Sequence, residues 1–208
     1  MAPKYTSSKT ERYHHGDLRK ALIEAALQEL EETGPEGFSL RKVARRAGVS
    51  HAAPAHHFND VTGLLTALAA EGFRRFSAAM EARQAQETTP EGRLTAAGLG
   101  YLDFAQDQPA LFRLIHSSQK PDQTNAELEE ASSASFFGLV DLVTDVTGED
   151  PEAPETWENV TAVWAMAHGI ADLVGSGRLK YISNLPLDAR EKAVRRVLSR
   201  SLAPKRGG

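Results

Sequence analysis

The sequence predicts an all-α protein, with a helix-turn-helix unit near the amino end and a larger helical domain behind it. Three observations predict this. Apolar residues recur at three- and four-residue spacing in one segment after another. The segments are set apart by breakers such as Gly34-Pro35, Glu87–Pro90 and the run GEDPEAP at 148–154. The stretch 38–58, FSLRKVARRAGVSHAAPAHHF, reads as two short helices around one glycine turn.

Taken in order, residues 1–13 (with Lys4, Lys9 and Arg12) read as a flexible polar arm. Residues 16–32 predict a first helix, with Ile23, Ala26, Leu27 and Leu30 in phase and Gly34-Pro35 as its stop. Its polar face, Arg19, Lys20, Glu24 and Glu31, reads as solvated. Next, Leu40, Val43, Ala44 and Ala47 form one apolar face. Ser39 stands where an N-cap is wanted, and Gly48 where a left-handed C-cap is wanted. Ser50 is expected to cap the second short helix. Pro54 falls in the first turn of that helix, where its cost is modest.

Residues 61–85 predict a long helix with Leu65, Leu68, Gly72, Phe73, Phe76 and Met80 on one side. Further helices are expected over Arg93–Ala105, from Pro109, and through Leu128–Val146. Trp157–Gly175 is apolar on two faces, one through Trp157 and Trp164 and the other through Val163, Ala167, Ile170 and Val174. Such a helix must bury both. With the last predicted helix, Leu187–Leu202, it is the expected dimer interface, a four-helix bundle across a two-fold axis. The tail APKRGG reads as disordered.

The segment LRKALIEAALQELEETGPEGFSLRKVARRAGVSHAAPAHHF resembles the DNA-binding domain of the TetR (tetracycline-repressor) family of transcription regulators. The resemblance rests on Ala25-Ala26, Gly34, Gly37-Phe38, Val43-Ala44, Ala47–Ser50, His57-Phe58 and Leu64-Leu65, in the family's order and spacing. It covers about the first third of the chain. It implies a homodimeric regulator whose carboxyl-terminal part senses a small molecule. In such proteins position 55 is usually Tyr and position 61 usually Lys, both phosphate contacts. Ala55 and Val61 stand there instead. Weaker backbone binding is then expected, or a larger share for His51, His56 and Arg41. The run WAMAHG at 164–169 resembles the Trp-His-Gly signature of one carboxyl-terminal subgroup.

Charge supports the placement of the reader. The net charge is −4, yet residues 1–75 carry 11 Lys+Arg against 9 Asp+Glu and five of the seven histidines. Cationic surface therefore gathers where the two-helix unit lies. Cysteine is absent, which excludes disulfide and thiol chemistry. No apolar run reaches the roughly 20 residues that span a bilayer, so no membrane association is expected and a cytoplasmic location is.

The expected DNA contacts are Ser39, Leu40 and Arg41 at the first short helix, then Ser50, His51, Ala52, Ala53, Ala55 and His56 at the second. Small residues let a helix sit deep in a groove. The histidines can reach base edges, and the serines with the helix N-termini can hold phosphate. Phe104, Phe112, His116, Phe136, Trp164 and His168 are the expected ligand contacts in the sensor half. The histidine spacings suit no metal, so neither metal nor other cofactor is expected. No nucleophile elbow, phosphate loop or dinucleotide fingerprint is present, so no enzyme is expected.

Together these readings give a DNA-binding domain over 16–76 and a sensing and dimerisation domain over 77–208. The expected partners are a double-stranded operator, a small-molecule effector and a second copy of the chain. The competing reading is a helical ligand-binding module with a degenerate reader. A small helical hydrolase is a further alternative.

Overall fold

The computed structural model describes residues 15–200. The arm and the tail from Ala203 lie outside them. α1 (His15–Thr33), α2 (Leu40–Arg46) and α3 (Ala53–Phe58) make the amino-terminal unit. α4 (Val61–Gln84) runs out of it into α5 (Pro90–Asp107), α6 (Pro109–Ser117), α7 (Ala126–Thr147), α8 (Pro154–Gly175), the short α9 (Lys180–Ser183) and α10 (Leu187–Leu198). The expected division at 76/77 falls inside α4, which both halves share.

Prolines open several of these helices. Pro54, Pro90, Pro109 and Pro154 all occupy the first two helical positions. There the missing N–H is one that has no partner within a helix anyway. Hence α5 and α8 begin three residues before the expected Arg93 and Trp157. Thr89 accepts from the Gly92 N–H at 3.1 Å to cap α5, and Asn125 accepts from the Leu128 N–H at 3.2 Å to cap α7. The four residues of α9 are too few to leave a periodic pattern, and the sequence does not announce them.

α4 is the central element. Leu64 through Ala70 are buried without a break, so the helix is enclosed on every side at that level. α1 packs on this region with Leu22, Ala26 and Leu30. α5 approaches the later turns so closely that a Cβ on Gly100 would stand 2.5 Å from the Ala79 carbonyl oxygen. One apolar core runs continuously from α1 through α6 to α8 and α10. A second cluster, including Leu94, Val140, Val143, Val160 and Val163, joins α5, α7 and α8.

The expected dimer face needs correction. α10 turns its stripe inward, with Val194 2 % and Leu198 6 % exposed. On α8, Val163, Ala167 and Ile170 are buried in the same chain, while Trp157, Trp164 and Leu173 face outward. These stripes are used up inside the chain against α5 and α7, so only the outward side of α8, between Trp157 and Leu173, is left over.

Candidate nucleic-acid interface and its linked cavity

The two-helix reader is built around the end of α2. The Val49 N–H donates to the Ala44 carbonyl at 3.0 Å and the Gly48 N–H to the Arg45 carbonyl at 3.2 Å. Gly48 takes φ +67° between them. This pattern ends a helix and requires a left-handed residue. At the other end of α2, Ser39 holds the extended N-cap conformation, but its hydroxyl makes no cap bond. The N–H groups of the first turn remain open beside it.

Ser50 does not cap α3. A helix capped there would need residue 54 to donate to the Ser50 carbonyl, and Pro54 has no N–H. The Ser50 carbonyl instead accepts from the Ala53 N–H at 3.0 Å, and α3 starts at Ala53 with Ala52 before it. The helix is one and a half turns long, with Pro54 and Phe58 buried beneath it. His51, Ala52, Ala55 and His56 are exposed along its outer edge. Ala53 is half-buried, and Leu40 packs on the core as scaffold.

The corner after α3 is tightly made. Asn59 adopts φ 66° and ψ −62°, and the Asp60 N–H donates to the Phe58 carbonyl at 2.8 Å. That is a γ-turn of the strained, positive-φ kind. Asp60 then caps α4, accepting from the Gly63 N–H at 2.8 Å. The Arg19 guanidinium lies 5.4 Å over the Phe58 ring and closes the corner from the α1 side.

The four cations of α2 divide in two. Lys42 and Arg46 reach back to the buried Glu29 at 3.2 and 3.4 Å, and Arg46 also meets Glu32 at 2.6 Å. Lys42 stands beside Glu29 Oε1 without the alignment of a hydrogen bond. Hydrogen bonding to Arg46 holds the Glu32 carboxyl below the usual range. Arg41 and Arg45 make no ion pair among the described residues and face outward with the histidines.

Farther along α4, a cavity of about 810 Å³ opens among α4, α5, α6, α7 and α8. His116, Phe136 and Trp164 line it, together with Phe73, Phe76, Tyr101 and Arg93. Phe104 and Phe112 are core residues, 1 % and 9 % exposed, and do not reach it. His168 lies behind the wall, sharing a 2.7 Å hydrogen bond with the Tyr101 hydroxyl. Burial raises the Tyr101 pKa well above that of a free phenol, so the hydroxyl keeps its proton. Burial, aided by His168, lowers His116 to about 4 and keeps it neutral. Tyr101 reads in the sequence only as part of a helical stripe, though a hydroxyl in an apolar stripe is a signal worth following.

Charged contacts tie the reader unit to the cavity walls. Glu127, in the first turn of α7, meets Arg19 of α1 at 3.2 Å and Arg74 of α4 at 2.6 Å. Arg75 pairs with Glu24 at 3.0 Å and Lys120 with Glu36 at 2.8 Å. The α1 face that reads as merely solvated therefore carries part of this link. Among the described residues, no cluster of three or more His, Cys, Asp or Glu is placed to hold a metal ion. No helix there is long and apolar enough to cross a membrane.

Comparison with known proteins gives two family matches. Residues 22–68 match the model of bacterial regulatory proteins of the tetR family, and residues 94–200 match a tetracyclin repressor-like C-terminal domain. An HTH-type transcriptional regulator BetI of Cronobacter sakazakii is 30 % identical over 162 residues, 75 % of each chain. The BetI of Pectobacterium carotovorum is 35 % identical over 97 residues, 46 % of this chain. That match spans half the length of the relative. A solved structure from Rhodococcus sp. RHA1, of a protein of unknown function, superposes with a TM-score of 0.75 at 35 % identity. The superposition covers 93 % of this chain and 99 % of that one.

Proposed function

This chain belongs to the TetR family of transcriptional regulators, and from that premise we propose that it is a homodimeric, cytoplasmic repressor. It binds a roughly palindromic operator and leaves it when a small molecule fills the cavity. The family consists of DNA-binding regulators rather than enzymes. The observation that carries this reading is the double role of α4. Its first turn is locked to the reader helix through Asn59, Asp60 and Gly63, and its later turns supply Phe73, Phe76 and Met80 to the cavity wall. A rigid helix that touches both sites can report on one to the other.

In this reading α3 enters the major groove with His51, Ala52, Ala55 and His56 toward the base edges. Arg41, Arg45 and the open first turn of α2 with Ser39 hold flanking phosphates. Lys42 and Arg46 are kept from DNA by Glu29 and Glu32. The residues over 16–76 act as the reader and 77–208 as the sensor and dimerisation part. The second copy docks on the outward face of α8, which Trp157 and Leu173 flank. A ligand that fits one setting of α4 and α7 better than another shifts the spacing of the two readers, because coupling follows differential affinity. Glu127, joined to both Arg19 and Arg74, lies on that route.

A mobility-shift titration with the DNA flanking its own coding sequence tests the proposal. Binding by the native chain that weakens at least tenfold in the H51A/H56A variant, with the dimer intact, supports it. Equal affinity of the two would remove the reader assignment. No binding by either would favour a ligand module with a degenerate reader.

A further inference from the structure

The cavity is specific in a way its aromatic walls alone do not convey. Two residues that line it each carry a buried polar atom with no hydrogen-bond partner: His116 Nε2 and Arg93 Nε. Unpaired buried groups of this kind are costly, and a bound molecule is one way to satisfy them. They lie at opposite ends. The His116 ring stacks on Tyr101 with centroids 5.7 Å apart. Tyr101 and Arg93 are eight residues apart on α5, roughly 12 Å at the rise of a helix.

The charges at the cavity narrow the choice. Glu81, Arg93, Asp141 and Asp145 are the charged residues lining it. The one guanidinium already pairs with Asp145 at 2.8 Å. An anion would thus meet uncompensated carboxylates. At the inner end, His116 is surrounded by Phe76, Tyr101, Phe112 and the second histidine, with no carboxylate among these ring neighbours. A cation placed there would have no counter-charge, and at the other end a group that only donates would leave the Arg93 Nε–H without an acceptor. Charge desolvated without a partner is expensive at either sign.

Resting on the sensor reading above, we propose that the effector is an elongated, uncharged, largely aromatic molecule with a hydrogen-bonding group at each end. One end reaches His116 Nε2, and the other is an oxygen that accepts from the Arg93 Nε–H. The body lies between Phe73, Phe76, Phe136 and Trp164.

Three rods of similar length test this on the full chain: trans-4,4′-dihydroxystilbene, trans-stilbene-4,4′-dicarboxylate and 4,4′-diamidinostilbene. Binding is read by titration calorimetry on the chain with Trp157 and Trp164 unchanged. The diphenol is expected to bind at least tenfold more tightly than either charged rod. His116→Leu and Arg93→Met each weaken it at least fivefold, while His116→Gln, which keeps a hydrogen-bonding end, retains most of the affinity. A charged rod that binds as tightly as the diphenol overturns the proposal. So does failure of all three to bind, or diphenol affinity indifferent to both substitutions. A diphenol that binds as described but leaves DNA affinity unchanged supports this ligand class and removes the sensor reading instead.

Discussion

Gly63 and Phe58 meet more sharply than any other glycine and its neighbour among the described residues: a Cβ on Gly63 would lie 1.9 Å from the Phe58 carbonyl oxygen. The obstacle is backbone, so no side chain can swing aside. Gly63→Ala must open the corner that fixes α3 to α4. The expected cost is roughly 2–4 kcal/mol in urea unfolding, with DNA affinity lost even below the unfolding midpoint. Asp60→Ala removes only the cap and should cost about 1 kcal/mol.

Glu29 is 1 % exposed and holds both Lys42 and Arg46. Breaking a buried pair from one side leaves charge without a partner. Because both cations are partly solvated, Glu29→Ala is expected to cost about 2 kcal/mol, below the range for fully buried pairs. It should also release Lys42 toward the DNA side, while Arg46 stays with Glu32. Nonspecific binding at low salt should then strengthen even as thermal stability falls, which a joint melting and anisotropy series would reveal.

The two sides of α8 should respond differently. Trp157→Asp with Leu173→Asp places charge on the outward face and should give folded monomers by analytical ultracentrifugation. Ile170→Asp places charge in the chain's own core and should unfold the protein, by several kcal/mol. A dimer that survives the outward pair would take that face out of the interface.

His116 makes stability depend on acidity. Its folded pKa lies near 4 against an ordinary 6.5, so between these values the unfolded chain binds a proton that the folded chain refuses. Stability is therefore complete above about pH 6.5 and declines as pH falls toward 4, by roughly 3 kcal/mol for this group. Tyr101 and His168 are the titratable groups facing it. His116→Gln should flatten that part of the pH profile. A native chain and a variant that decline in parallel would contradict the assignment.

The helical plan and the place of the reader were legible because they rest on local patterns: phase, Gly48 at a left-handed stop, and the order of small and apolar residues from Ala25 to Leu65. Ser50 misled because a good cap residue was weighed without asking which N–H its carbonyl would receive; Pro54 cannot supply it. The side that Val163 and Ile170 take was not legible, because a helix apolar on both sides does not say which side its own chain claims. Phe104 and Phe112 sit at the same helical phases as cavity residues, and only the packing of α5 on α4 decides which rings face the space. Glu29 was readable in principle, as a carboxylate in phase with Ala25, Ala26 and Leu22.

The most direct measurement is a footprint of the purified chain on a genomic fragment selected for binding, taken at low and at raised ionic strength. Two protected patches should appear on one face of the duplex, with centres about 34–36 Å or a multiple apart, and affinity should fall steeply with added salt as phosphate contacts release counterions. A single patch, or no protection of any duplex at low ionic strength, would contradict paired reading of the major groove by α3.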